Sequence, residues 1–260
     1  MKPLLDVKKL TMDFGGIRAL NRLDLDINQG EIVALIGPNG AGKTTFFNCI
    51  TGIYTPTKGE VLVTPPGKKS IRVNGRKPHV VTELGMARTF QNIRLFPTMT
   101  VLENVMIGRH CRTSSGIFGA LLRTQSTRRE EKKILIDSYK LLEKVNLADQ
   151  ANEVASNLPY GDQRRLEIAR AMATEPFLLL LDEPAAGMNP QETKDLVDLI
   201  FKIKNEESIS ILLIEHDMKL VMELSDRIFV MEYGRKIAQG TPEEIRENPV
   251  VIKAYLGDEI

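Results

Sequence analysis

The hydrophobic pattern of the chain predicts two kinds of strand. Residues 4–10 and 23–27 alternate apolar and polar positions, as strands with one buried face do. Later strands are predicted at 32–36, 178–181, 210–214 and 228–231, which are apolar apart from Ser210, and helices are expected at 162–174, 191–204 and 218–224. Because strands alternate with helices in this part of the chain, we expect a largely parallel sheet with helices on both faces.

Between these parts, residues 98–160 have a helical pattern. Thr100 is followed three residues later by Glu103, which is typical of a capping box at a helix start. Apolar residues then recur at helical spacing between 134 and 146, namely Ile134, Leu135, Tyr139, Leu142 and Val145. We therefore predict a helical insertion within an α/β domain.

Composition excludes several classes of protein. The 260 residues include 35 basic and 34 acidic side chains, so no net field attracts nucleic acid, and no nucleic-acid partner is expected. The apolar runs are much shorter than the roughly 18 residues of a membrane span, and the first residues lack the pattern of a signal peptide. We expect a soluble, cytoplasmic chain that acts at a membrane only through partners.

A glycine-rich segment follows the first continuously apolar run. It reads G-P-N-G-A-G-K-T-T, matches G-x-x-x-x-G-K-[ST] and leads into a helix. Glycines allow backbone N–H groups to converge on phosphate, Lys43 adds a positive charge, and the Thr44 hydroxyl is a ligand for Mg²⁺. The segment predicts a nucleoside triphosphate site formed by Gly37, Pro38, Asn39, Gly40, Ala41, Gly42, Lys43, Thr44 and Thr45.

Further polar residues follow two later strands. Asp182 and Glu183 come directly after 178–181, and His216 follows 210–214. Because ligands bind at the carboxyl ends of parallel strands, these side chains are expected beside the phosphate loop. Taken alone, the carboxylates are also typical of a solvated strand end, and a lone histidine is more often a structural residue with its hydrogen bonds satisfied. Together with the loop, these residues indicate a reaction centre. Phe14 precedes a glycine turn and is either a base-stacking or a core aromatic residue.

These motifs resemble, in their order, the ATP-binding subunits of ABC transporters. Residues 37–45 match the Walker A motif, Phe14 the adenine-stacking aromatic, Gln91 the Q-loop, 158–163 the signature, 178–183 Walker B, 186–189 the D-loop and His216 the switch histidine. The resemblance implies a P-loop NTPase with a mostly parallel RecA-like sheet, an antiparallel β subdomain and a helical insertion. It divides this single domain into 1–97 and 161–260 for the core and β subdomain, and 98–160 for the helical part.

The resemblance also implies ATP and Mg²⁺ as cofactors and a role for each matching residue. Glu183, His216, Gln91 and Lys43 are expected to be catalytic, and Thr44, Gln91 and Asp182 to bind Mg²⁺. ATP is expected to contact Phe14, residues 37–45 and, from a second subunit arranged head to tail, Leu158 and Gly161.

A closer resemblance is to the larger ATPase subunit of branched-chain amino acid importers. It rests on G-M-A-R-T-F-Q at 85–91, R-L-F at 94–96 and Y-L-G at 255–257. It implies import driven with membrane permease subunits and indirectly a solute-binding protein, at the inner membrane face. Two departures are Pro159, where the family's signature usually has serine, and Asn189, where the D-loop commonly has aspartate. The homo- or heterodimeric state is left open.

Other functions are weighed against this one. An ABC ATPase of another importer or of an exporter shares all of these motifs. A soluble ABC ATPase would normally have two cassettes or a long heptad insertion, and the chain has one phosphate loop and no sustained heptads. A P-loop kinase or GTPase would not require the element at 158–163. The surface near Leu95, Phe96 and Pro97 is predicted to dock a permease helix.

Overall fold

The computed structural model describes residues 2–112 and 125–256. The strands are, in chain order, β1 (Leu5–Phe14), β2 (Ile17–Ile27), β3 (Ile32–Ile36), β4 (Lys58–Val63), β5 (Ile71–Arg72), β6 (Met86–Arg88), β7 (Leu178–Asp182), β8 (Ser210–Ile214), β9 (Arg227–Glu232) and β10 (Arg235–Gly240). The helices are α1 (Lys43–Ile50), α2 (Pro78–Glu83), α3 (Val101–Arg109), α4 (Gln125–Lys144), α5 (Tyr160–Met172), α6 (Pro190–Glu207), α7 (Met218–Leu224), α8 (Pro242–Arg246) and α9 (Pro249–Leu256).

A six-stranded sheet forms the centre of the fold. Its strand order is β10-β9-β3-β8-β7-β6, and every pair is parallel except β10 with β9. Strands β3, β7 and β8 are buried at every position, which explains why they are apolar except at Asp182, the end of β7, and Ser210, the start of β8. The predicted parallel sheet is confirmed, and its parallel strands end at one edge.

The short strand β6 was not predicted from the sequence. It has only three residues, too few to show a period, and it pairs with Leu178, Leu179 and Leu180 of β7. The pairing places residues 89–91, which follow β6, at the same edge of the sheet as the end of β7.

A second, antiparallel sheet has the order β2-β1-β4-β5. Its first two strands are longer than the predicted 4–10 and 23–27, because they pair as far as the turn at Gly15 and Gly16. The register shifts between Val7 and Leu10 and again beyond Leu10, so the alternation that marks a strand in sequence is interrupted there. The antiparallel β part of the expected fold is confirmed.

The helical part is built by α3, α4 and α5. Thr100 and Glu103 form the predicted capping box at the start of α3. Of the apolar residues predicted to line α4, Leu142 is buried, but Leu135 and Tyr139 are 45% and 41% exposed. Helix α4 thus meets the core near its C-terminal end, at Leu142, while Leu135 and Tyr139 face away from the core, which periodicity alone does not reveal. Helix α5 begins two residues earlier than predicted and packs on α3.

No helix within residues 2–112 and 125–256 is both long and apolar enough to cross a membrane.

Candidate functional site

The glycine-rich loop joins β3 to α1, as the sequence predicts. Gly37 has φ +150° and Gly42 has φ +100°, values that L side chains rarely adopt. A Cβ at Gly37 would also overlap the carbonyl oxygen of Met231, and one at Gly42 would lie 2.7 Å from the carbonyl oxygen of Ala19. Both glycines are therefore required for the loop to fold tightly against β9 and β2.

Lys43, the first residue of α1, is enclosed by the loop. Its Nζ donates to the carbonyl oxygens of Gly37 at 2.5 Å and Pro38 at 3.0 Å. Burial lowers the pKa of Lys43, and the carboxylates of Glu183 and Asp182 oppose this effect. An ammonium held by two backbone carbonyls at the border of the cleft is well placed to receive phosphate oxygens.

Three of the predicted catalytic side chains meet at Glu183. Gln91 Nε2 donates to Glu183 Oε2 at 2.9 Å, and His216 Nε2 lies 2.8 Å from Glu183 Oε1. Glu183 itself has φ +48°, a left-handed conformation that is rare for a residue with a side chain. Such strain occurs preferentially where a side chain must be aimed for function.

The loop and this cluster border one cleft of about 310 Å³. It is lined by Ala19, Asn39, Gly40, Ala41, Gly42, Lys43, Thr44, Thr45, Gln91, Glu183 and His216. The predicted phosphate-binding and catalytic residues thus face each other across a space at the carboxyl edge of the sheet.

The residues predicted to bind Mg²⁺ offer hydroxyl, amide and carboxylate oxygens, the hard donors that this ion prefers. Thr44 and Gln91 line the cleft, and Asp182 ends β7 beside Glu183. The Asp182 side chain is buried and pairs with Arg88, whose Nη2 lies 2.7 Å from Oδ2. Since Mg²⁺ commonly binds through one or two protein oxygens, phosphate and water, this donor set fits the ion.

Phe14 lies at the end of β1 and is 41% exposed. Its ring meets Tyr54 edge to face, with the centroids 5.3 Å apart and the planes at 79°. It is outside the lining of the cleft, and its stacking on adenine stays a prediction.

The signature region lies away from the cleft of its own chain. Leu158 is buried, Pro159 is the N-cap of α5, and neither Leu158 nor Gly161 lines the cleft. A Cβ at Gly161 would come 2.7 Å from Glu192 Oε1, so glycine allows close approach of α5 and α6. The contact of Leu158 and Gly161 with ATP from a second subunit stays a prediction.

Asn189, the departure in the D-loop, caps α6. Its Oδ1 accepts from the N–H groups of Gln191 at 2.9 Å and Glu192 at 3.0 Å. Because asparagine and aspartate cap helices about equally well, the substitution preserves the local structure.

A buried pair on α5 holds the backbone around Gln91, and the sequence analysis missed it. Arg164 donates to the carbonyl oxygens of Phe90 at 2.6 Å and Gln91 at 2.8 Å. Glu167 Oε1 accepts from the N–H groups of Phe90 and Arg94, both at 3.3 Å. Arg164 and Glu167 are bonded to each other at 2.8 Å. The only sequence signal was two opposite charges three residues apart on a helix face that is otherwise apolar.

Glu215, also missed, organises the loop next to Glu183. It is buried and accepts from the N–H groups of Ala185 at 2.8 Å and His216 at 3.0 Å. Burial raises the pKa of Glu215, and these backbone N–H groups oppose the increase. Its carboxylate links the segment after β7 to the segment after β8.

This combination of a phosphate loop, strand-end carboxylate, switch histidine and helical insertion defines an ATP-binding cassette. Residues 20–186 match the family described as ABC transporter, and residues 235–260 the one described as branched-chain amino acid ATP-binding cassette transporter. The first match covers more than half of the chain, so the chain belongs to the ABC transporter family and is an ATPase of this type.

Individual relatives agree with this assignment. The chain is 52% identical over 257 residues to the high-affinity branched-chain amino acid transport ATP-binding protein LivG of Escherichia coli K12, with 99% of each covered. It is similar to the ADP conformation of MJ1267, an ATP-binding cassette of an ABC transporter, with a TM-score of 0.83 and 30% identity over 99% of this chain and 100% of that chain.

A dimeric, post-hydrolysis structure of the cassette MJ0796 bound to ADP and Pi also matches. Its TM-score is 0.75, with 25% identity over 92% of this chain and 98% of that chain. The expected fold class is confirmed.

Proposed function

We propose that the chain binds Mg·ATP in the cleft and hydrolyses it to power import of branched-chain amino acids through a membrane permease. The observation that carries the proposal is the position of Glu183, between Gln91 and His216 and across the cleft from the phosphate loop. The substrate class is supported by the printed name of the 52%-identical relative.

In the proposed reaction, Lys43 and the loop N–H groups bind the β- and γ-phosphates. When bound to Thr44, Gln91 and Asp182, Mg²⁺ neutralises phosphate charge. Glu183 orients the attacking water by accepting a hydrogen bond from its O–H, while the Gln91 amide donates to the carboxylate and holds it in place. His216 contributes a hydrogen bond to the transferring phosphoryl group.

ATP is sandwiched between two subunits, with the signature of one closing the cleft of the other. The dimeric relative supports this arrangement, as does the fact that neither Leu158 nor Gly161 lines the cleft of its own chain. Pro159 has neither a side-chain hydroxyl nor an N–H, so the site that it closes has fewer hydrogen bonds to phosphate. Such inequality suits a heterodimer with a second, different ATPase subunit.

The permease docks on a groove beside the segment at 95–97. Phe96 is 42% exposed at the edge of this groove, which has a volume of about 420 Å³. The Arg170 guanidinium lies 5.6 Å from the Phe96 ring centroid. Glu167 also lines the groove and accepts from the Phe90 N–H, so a docked helix would be connected to Gln91 through Glu167 and Phe90.

With a permease docked there, the chain resides on the cytoplasmic face of the membrane. Amino acid specificity belongs to the permease and to a solute-binding protein. The alternative is an ABC ATPase that serves another importer or an exporter, and uptake of labelled leucine by vesicles containing the full assembly separates the two functions.

The deciding experiment compares ATP hydrolysis by the wild-type chain, Glu183→Gln and the exposed control Glu247→Gln, each alone and with co-expressed membrane partners. Dimerisation is followed by light scattering. We expect hydrolysis by the wild type and by the control, and an ATP-stabilised dimer without hydrolysis for Glu183→Gln. Normal hydrolysis by Glu183→Gln would refute the mechanism.

A further inference from the structure

Arg88, the last residue of β6, is largely buried and contacts two further structural elements. Its Nη2 lies 2.7 Å from Asp182 Oδ2 at the end of β7, and its Nη1 donates to Asn48 Oδ1 of α1 at 2.7 Å. The Arg88 and Asp182 side chains are only 8% and 4% exposed. The two ends of one rigid guanidinium thus connect the strand that carries Asp182 to the helix that carries Thr44.

Two aromatic rings fix the position of this guanidinium. Its central carbon lies 5.3 Å from the ring centroid of Phe47 on α1 and 5.2 Å from that of Phe90. Phe90 directly precedes Gln91, whose amide donates to Glu183. Arginine is suited to such a position because it combines a planar fork of donors with stacking, which a lysine ammonium cannot do.

Burial of Arg88 is energetically unfavourable in two respects, which suggests that its position serves a function. A buried ion pair must repay the desolvation of both charges. In addition, Arg88 Nε is buried and has no hydrogen-bond partner among the residues that the structure describes. Such an unsatisfied donor is uncommon in folded proteins and requires an explanation.

We propose that Arg88 is a positioning residue of the ATPase site, which holds the Asp182 carboxylate and the Phe90–Gln91 segment in place relative to α1. It acts through Asp182 and Gln91, both proposed Mg²⁺ ligands, and has no contact with the cleft itself. The inference rests on the proposed function. It also gives the stretch at 85–91 a physical role, since Arg88 is its charged member.

Replacing Arg88 should affect the binding of Mg²⁺ more than the binding of the nucleotide. The phosphate loop and Lys43 are separate from the Arg88 contacts, so binding of ATP without metal should be retained when Arg88 is changed. Orientation of the metal ligands should be lost, because residues that orient metal ligands typically contribute about 10- to 100-fold to metal affinity or activity.

The test uses Arg88→Lys and Arg88→Gln in the full-length protein. A fluorescent ATP analogue is titrated in EDTA and then with increasing Mg²⁺, and steady-state hydrolysis is measured on the same preparations. For both variants we expect the affinity for the ATP analogue in EDTA to be unchanged and kcat for hydrolysis to be lower. The Mg²⁺ concentration that gives half of the maximal change in analogue binding should increase about tenfold. Arg88→Lys should not restore the wild-type Mg²⁺ dependence, because lysine retains the charge but loses the planar set of donors and the stacking on the two aromatic rings.

Arg227→Lys is the matched control. Arg227 pairs with Asp26 and Glu31 at 2.9 and 2.8 Å and stacks on Phe229 at 5.1 Å, but it lies at the start of β9, which β3 and β8 separate from β7. The Arg227→Lys substitution should leave the Mg²⁺ dependence of analogue binding and hydrolysis unchanged.

Unchanged Mg²⁺ dependence in the Arg88 variants, or loss of ATP binding already in EDTA, would overturn the proposal, since the latter would indicate a general role in folding. Failure of the wild type to bind ATP in a Mg²⁺-dependent way would instead refute the proposed function, and the positioning role with it.

Discussion

His216 Nε2 lies 2.8 Å from Glu183 Oε1, and this contact joins the ends of two neighbouring parallel strands. The strand register determines it: Asp182 pairs with Ile214, and the Glu183 N–H donates to the Ile214 carbonyl oxygen at 2.9 Å. Glu183, one residue after Asp182, and His216, two residues after Ile214, therefore both line the cleft.

Replacing His216 with glutamine should reduce kcat for ATP hydrolysis by about 100-fold, the scale of losing one hydrogen-bond donor to a transition state. The KM for ATP should change little, because Lys43 and the loop remain. Steady-state kinetics on the purified chain would measure both constants. His79→Gln, on the exposed surface of α2, is the control. A KM effect without a kcat effect would contradict the assigned role.

Phe96→Asp should abolish capture of the permease while leaving hydrolysis by the isolated chain intact. A carboxylate placed in the groove would have to be desolvated on docking, which is unfavourable. Pull-down with tagged permease and transport in vesicles are the measurements. Val250→Asp changes a side chain of comparable exposure, 52% against 42%, on α9 outside this groove. Retained capture by Phe96→Asp would place the docking surface elsewhere.

Glu215 should make stability depend on pH. Burial raises its pKa, so the folded chain binds this proton at higher pH than the unfolded chain. Its contribution to the free energy of unfolding is thus largest below the unfolded pKa and is lost as pH rises through the folded pKa. Glu215→Gln cannot ionise, so its stability relative to the wild type should increase as pH rises.

The total change should be about 1.4 kcal/mol per unit of pKa difference. Urea unfolding between pH 4.5 and pH 8, values that span roughly the expected titration of a carboxyl group, would measure it. The exposed substitution Glu131→Gln is the reference. A stability difference between Glu215→Gln and the wild type that is independent of pH would contradict the prediction.

The two thiols should differ in reactivity. Burial raises the pKa of Cys49 to about 12, and the thiolate is the reactive form. Cys111 is only half-buried, and the positive charge of Arg112 opposes the increase in its pKa. N-ethylmaleimide should therefore label Cys111 in the folded protein and Cys49 only after unfolding, as peptide mass mapping would show. Labelling of the folded Cys111→Ser variant would refute this difference.

Several features were predictable from local sequence because they depend on near neighbours. The phosphate loop is determined by glycines and by Lys43 within nine residues, and the capping box of Thr100 by a side chain three positions away. Asp182 and Glu183 were identifiable because they end a continuously apolar strand. Each of these features depends on interactions within a short segment, so the same residues produce it in any α/β chain.

Other features depend on residues that are far apart in sequence. Arg88 meets Asp182 across 94 residues and Asn48 across 40, and Arg164 reaches Phe90 across 74. The hydrophobic pattern of a sequence does not indicate such pairings, because it does not distinguish a buried arginine from a solvated one.

The sequence by itself thus determined the class of site, the longer apolar strands and the helices between them, and the polar residues that follow β7 and β8. Only the tertiary structure decided which of those residues meet. The physical reason is that parallel strands bring their carboxyl ends to one edge in an order set by packing. That order placed Glu183 beside both Gln91 and His216.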